Sequence, residues 1–229
     1  MKRFVLAFVL ISAVQLVSGQ QKERVKLWTL YPGYIVTKDN DTIKGYLMLK
    51  NLINNQDKVF FYKNKNTPKE DAVKYKPKDI KAYKAGPRYY ESFKFKPSVS
   101  TYSANDAKTY HFVLRVVDGP FSLYRWYYET VEKSKERVKV DTEHPLSSKV
   151  DLSFNEDELK YITLGRKAGG EIVDFNSMKM LMGFKKNMSK LVADYPELAG
   201  KIAKKKEGYQ HQDIEKIVKE YNEWYVKDH

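Results

Sequence analysis

Two carboxylates stand where aromatic neighbours could change their chemistry. Glu91 interrupts the run Tyr89-Tyr90-Glu91-Ser92-Phe93, and Glu129 follows Trp126-Tyr127-Tyr128. A carboxyl turned into an aromatic cluster loses hydration, which disfavours its charged form and suits it to general acid work. Glycoside hydrolysis needs only two carboxylates, so Glu91 and Glu129 are the candidate catalytic residues of a glycan or envelope-polymer hydrolase. A third acidic cluster, Glu156-Asp157-Glu158, precedes Leu159. A surface carboxylate balancing nearby lysines is the simpler account of each.

The second candidate chemistry is binding. From Lys58 to Lys96 there are twelve Lys/Arg against four Asp/Glu, so most of the chain's formal charge of +13 sits in this one stretch. Nine aromatic residues interleave with those cations. Cations neutralise an anionic polymer while rings stack on bases or sugar faces. Lys74, Tyr75, Lys76, Lys78, Arg88, Tyr89 and Tyr90 are therefore the candidate ligand-binding residues. The competing account is structural. Ser92 to Lys96 alternates polar and aromatic, the pattern of a half-buried strand, and lysines on exposed strands block edge-to-edge aggregation.

Other chemistries lack their residues. There is no H-E-x-x-H and no G-x-S-x-G. Gly165 to Gly170 has the outer spacing of a phosphate loop, but Glu171-Ile172 stands where Lys-Ser/Thr must follow. The four histidines, His111, His144, His211 and His229, form no ligand pair, so no metal and no cofactor is expected. The chain has no cysteine, which removes disulfides, thiol nucleophiles and a lipid attachment point.

Met1–Gly19 reads as a secretory leader. Lys2 and Arg3 open it, Phe4 to Val17 is almost wholly apolar, and Val17-Ser18-Gly19 supplies slim residues before Gln20. The run is short for a bilayer span and carries Ser12 and Gln15. The expectation is an exported protein that begins at Gln20, is periplasmic, outer-membrane associated or secreted, and has no transmembrane span in its mature chain. Export turns the basic surface away from nucleic acid. The available partners are then an anionic glycan or an envelope protein; the oligomeric state is open.

The elements that must position these residues follow from periodicity. Gly33–Lys38 and Thr42–Leu49 read as paired strands around the turn Asp39-Asn40-Asp41. Lys58–Tyr62, Ile80–Tyr83 and Leu159–Leu164 are further strands, and Gly165–Gly170 is expected to be a flexible loop. Thr109–Val117 and Phe121–Tyr128, joined by Asp118-Gly119-Pro120, make the strongest hairpin, apolar on both faces and hence central. After Asp174 the period becomes helical: Leu181, Phe184, Met188, Leu191 and Val192 mark one helix, Leu198 and Ile202 a second, and Ile214, Ile217, Val218, Tyr221, Trp224 and Tyr225 a last. The cluster Met178, Met180, Met182 and Met188 suggests core packing ahead of an adaptable groove.

The run Gly33-Tyr34-Ile35-Val36-Thr37, then Asp41-Thr42-Ile43-Lys44-Gly45-Tyr46, resembles the opening of small exported proteins of Bacteroidota with no assigned function. Asp118-Gly119-Pro120-Phe121-Ser122-Leu123-Tyr124 and a closing helix bearing Tyr221-Asn222 are similar to that group as well. The resemblance implies an envelope location in a diderm bacterium and carries over no catalytic residue.

The expected fold is α+β: a leader over 1–19, an antiparallel β-rich domain over 20–173 (a twisted sheet, partly closed barrel or sandwich), and a helical segment over 174–229 packed on it. The expected function is a non-enzymatic binding module for an anionic glycan or another envelope macromolecule. A hydrolase using paired carboxylates is the alternative, and a barrel carrying a hydrophobic ligand beneath Phe121–Tyr128 is a third.

Overall fold

The structure is a computed structural model that describes residues 25–99, 107–129 and 159–229. The leader, Glu156–Glu158 and His144 lie outside the described residues.

The described residues fold as one open, ten-stranded antiparallel sheet with helices packed on it, an α+β arrangement rich in β. The strands are β1 (Thr29–Val36), β2 (Thr42–Leu49), β3 (Val59–Tyr62), β4 (Val73–Tyr75), β5 (Ala82–Ala85), β6 (Arg88–Phe95), β7 (Thr109–Val117), β8 (Phe121–Tyr128), β9 (Lys160–Lys167) and β10 (Val173–Asp174). Their spatial order is β10-β9-β8-β7-β6-β5-β1-β2-β3-β4. Two meanders therefore meet where β5 pairs with β1. Of the three β architectures the pattern allowed, the open sheet is the one present.

The seam between the meanders is made of small residues. Gly33 pairs with Gly45 on one side and Ala85 on the other. A Cβ on Gly33 would stand 1.9 Å from the Lys84 carbonyl oxygen, and one on Gly45 2.5 Å from the Phe61 ring. Glycine here admits a close backbone approach that no side chain fits.

The residues Ile35, Leu47, Leu49, Phe61, Tyr83 and Phe112 share the inner face and form one core. A helix that periodicity did not reveal, α1 (Leu52–Asp57), lies against it and touches β7 and β8. Asn51 caps α1 by accepting the Asn54 N–H at 2.8 Å. The inner face of β7 and β8 continues into a second core, where Val117, Phe121 and Leu123 pack on α2 (Met178–Leu191), α3 (Pro196–Ala203) and α4 (Ile214–Asp228). On the outer face of β6–β9, Phe93, Phe95, Val113, Tyr124, Trp126 and Ile162 form a third. The β7–β8 hairpin is thus buried on both faces, as its sequence required.

Two carboxamides complete β8. It pairs with β7 only from Leu123 to Arg125. At one end the Gln56 amide accepts the Tyr127 N–H and donates to the Tyr127 carbonyl at 2.9 Å. At the other, Asn222 accepts the Phe121 N–H at 2.8 Å and donates to its carbonyl at 2.9 Å. Asn222 fits because Gly119 lacks a Cβ, which would lie 2.6 Å from the amide nitrogen. The Asp118-Gly119-Pro120 turn and the Tyr221-Asn222 helix, distant in sequence, are direct neighbours.

Three local expectations change. Gly165 is not in a loop: β9 stays paired with β8 as far as Lys167 opposite Phe121, and glycine at 165 leaves room for the Phe121 and Phe175 rings. Leu181 is exposed and Met180 takes the core position, since Gly183 leaves helical geometry and offsets the stripe. Of the methionine cluster, Met180 and Met188 are core while Met178 and Met182 are exposed. Among the described residues no helix is long and apolar enough to cross a membrane.

Candidate functional site

Strand alternation decides which of the basic and aromatic residues face outward. Thr29 pairs with Leu49 on the inner face, so Trp28 and Lys50 belong to the outer one. Phe60 pairs with Lys74, again outward. The result is a row across the edge of the sheet, Trp28, Lys50, Phe60 and Lys74. One step along the same ladder stand Lys58 and Lys76.

The row is a cation seated on aromatic faces. The Lys50 ammonium lies 4.9 Å from the Trp28 ring centre and 4.6 Å from that of Phe60. Burial against these rings, and then the charge of Lys58, hold the Lys50 ammonium below its ordinary pKa. An anion placed beside it would relieve both effects. Trp28 is 51% exposed, the largest side chain so presented. Its φ of 58° is left-handed, a conformation that costs a bulky residue about 1–3 kcal/mol. Its N–H is tied to the Leu49 carbonyl at 2.6 Å, which holds the chain in that turn.

The cations around this row keep their charge for solvent. From Lys26 to Lys84, none of the lysines is ion-paired to a described residue, whereas Arg115, Arg125, Arg166, Lys167, Lys201 and Lys219 all are.

The seven binding candidates read from sequence divide. Lys74, Lys76 and Lys78 are exposed at or beside the edge strand. Tyr75 points inward and meets Phe61 edge-on at 6.3 Å. Tyr90 is fully buried and stacked on Tyr83 at 4.7 Å. Arg88 is half-buried on the same inner side of β6, while Tyr89 is outward under the Arg115 guanidinium at 4.0 Å. β6 is five strands from β4, so the structure does not join the two groups into one site. Trp28, Lys50 and Phe60 escaped the sequence reading. Their signal was the pairing register, which composition does not carry.

Glu91 is the centre of a polar cluster. It accepts hydrogen bonds from the Tyr124 hydroxyl at 2.9 Å and Arg166 at 2.6 Å, and Arg115 stands at 3.5 Å. Its carboxylate joins β6, β7, β8 and β9. Glu129 lies just past the end of β8, two strands away, a lateral step of about 10 Å before any offset along the strands. The two carboxylates are not brought into one cleft.

His111 and the polar groups beside β8 and β9 are engaged within the fold. His111 packs against Phe95 and Trp126 with ring centres at 5.1 and 5.5 Å, and burial pushes its pKa down to about 4. A cleft of about 310 Å³ between β8, β9 and the start of α4 is lined by Arg125, Tyr161, Asn176, His211 and Glu215. Arg125 bonds Glu215 at 3.2 Å and His211 bonds the Phe175 carbonyl at 2.9 Å, so its groups serve each other. Behind Phe121 and Leu123 the volume is filled by Phe175, Ile217, Val218 and Tyr221. Among the described residues no group of three or more His, Asp or Glu could hold a metal. Comparison with family models, curated proteins and solved structures gives no match to this chain.

Proposed function

We propose that the protein is a non-enzymatic binding module for an anionic glycan, exported to the envelope of a diderm bacterium. One observation supports this above the others: an exposed tryptophan and a phenylalanine flank Lys50, with Lys58, Lys74 and Lys76 beside them and no carboxylate among the described residues ion-paired to any of these cations. Sugar rings offer apolar faces to an indole while their carboxylates or phosphates meet ammonium groups. Lysines serve here as point charges with mobile stems, suited to a polymer held without fixed register.

The test is retention of residues 20–229 on immobilised anionic polysaccharide across a salt series. Binding should weaken steeply between low and physiological salt, because exposed charges are screened over about 8–10 Å. The triple variant Lys74→Glu, Lys76→Glu, Lys78→Glu should elute at markedly lower salt. Retention equal to that of the parent protein would reject the reading.

A further inference from the structure

We infer that the outer face carries a second subsite, a ladder of cations and tyrosine rings across five strands, which binds a linear anionic glycan with one carboxylate per disaccharide; this deepens the glycan reading above and rests on it.

The ladder is set by register. Tyr34 pairs with Lys44 on β2 and with Lys84 on β5, and Lys84 pairs with Tyr89 on β6. Arg115 on β7 continues the row with its guanidinium 4.0 Å over the Tyr89 ring. The order across β2, β1, β5, β6 and β7 is therefore cation, ring, cation, ring, cation. The Tyr34 and Tyr89 ring centres are 6.5 Å apart although a whole strand separates them, so both lean over Lys84.

The chemistry follows from that order. Strands repeat at about 4.8 Å, which places cations on every second strand at about 10 Å. That is close to the length of a disaccharide. A chain alternating acidic and neutral sugars would set each carboxylate at a cation and each neutral ring against a tyrosine. Lys44 and Lys84 are exposed and have no ion pair with a described residue. Arg115 is fixed by Asp118 at 3.0 Å and Glu91 at 3.5 Å, and ends the row. Along β1, Tyr34 lies six residues from Trp28, about 20 Å. A polymer can engage both subsites where a short oligosaccharide engages one, which raises avidity without new contacts.

The experiment titrates full-length mature protein with sodium hyaluronate, which carries one carboxylate per disaccharide, and with polygalacturonate, which carries one per sugar. Lys44→Glu with Lys84→Glu should lower hyaluronate affinity about tenfold or more, and Tyr34→Leu about fivefold. The lysine variants are at exposed positions, and an unchanged urea midpoint verifies their fold. Polygalacturonate should lose less. Equal losses on both polymers would overturn the charge spacing. Parent-like hyaluronate binding by the Lys44/Lys84 variant, while the Lys74 triple variant is weakened, would overturn the ladder and leave the glycan reading standing. No retention of the parent protein on either polymer would defeat the glycan reading itself.

Discussion

Two regions of the sheet, β1–β5 and β6–β9 with the helices, use their cations differently. In β6–β9 and the helices, arginines and lysines tie strands together: Arg115 and Arg166 hold Glu91, Arg125 holds Glu215, and Lys167 bridges Asp194 and the Leu191 carbonyl. In β1–β5, thirteen lysines lie between Lys26 and Lys84 with only six acidic residues, and none is ion-paired to a described residue. In β6–β9 and the helices, Arg115, Arg125, Arg166, Lys167, Lys201 and Lys219 contribute to cohesion. The β1–β5 part is held by apolar burial, backbone pairing and uncharged hydrogen bonds such as Tyr83 to the Asn55 carbonyl, and its lysine charges are left to the surroundings. The proposed Trp28–Lys50–Phe60 binding row therefore lies in the part of the sheet whose lysines make no ion pair with a described residue.

The largest effect should come from breaking the cohesive half at β8. Gln56→Leu leaves the Tyr127 N–H and carbonyl buried without partners, and should cost about 2–4 kcal/mol in urea unfolding. Asn222→Leu should cost a similar amount at the Phe121 end. A loss below about 1 kcal/mol at both sites would mean that water replaces the amides and that β8 is not clamped.

Next comes the Glu91 cluster. Arg166→Met removes the 2.6 Å partner of a carboxylate whose side chain is 13% exposed, and should cost about 1–3 kcal/mol. Lys167→Met should cost less, about 1 kcal/mol, because its pair with Asp194 is half open to solvent. Burial disfavours the Asp194 charge, yet the bonds from Lys167 and Tyr221 outweigh it and hold the carboxyl below its ordinary pKa. That contribution is present above the unfolded carboxyl's pKa and is lost as pH falls through the lower folded value. Lys167→Met should flatten the acid limb of stability there.

His111 acts in a different window. Its pKa is about 4 in the folded protein against 6.5 in the open chain, so the unfolded state binds more protons between those values. Stability should fall as pH drops from 6.5 to 4 and level off below. The effect is about 1–2 kcal/mol once solvent contact is discounted. The slope difference between the parent and His111→Phe isolates it from the carboxylates, and identical slopes would place His111 in water.

How far the sequence reached follows the same division. The hairpin at Asp118-Gly119-Pro120, the helical stripes ending in Tyr221 and the closure by an α+β core were legible because each rests on local period and turn chemistry. Helix α1 was not, since Asn51 to Asp57 is mostly polar and is held by Asn55 bonding the nearby Lys50 N–H and Met48 carbonyl and by Gln56 bonding the distant Tyr127 backbone. Lys74 was legible as a cation. Its neighbours Phe60, Lys50 and Trp28 were not, because side-by-side strands bring them together and a one-residue slip would turn every one inward. Tyr75 and Tyr90 were chosen by composition and fell on the inner face for the same reason.

The smallest expected effect on stability is the most informative. Lys74→Glu, Lys76→Glu and Lys78→Glu alter only exposed side chains, and no described ion pair is broken. Unfolding should shift by no more than about 0.5 kcal/mol. The shift should be towards greater stability, because a region with thirteen cations and six acidic groups repels itself. Raising salt should therefore stabilise the parent more than the variant while weakening glycan retention of the parent. A site whose charge serves folding gives the reverse, as Arg166→Met should. If the triple variant instead unfolds easily, the lysines are part of the sheet's cohesion and the contrast between the two halves disappears.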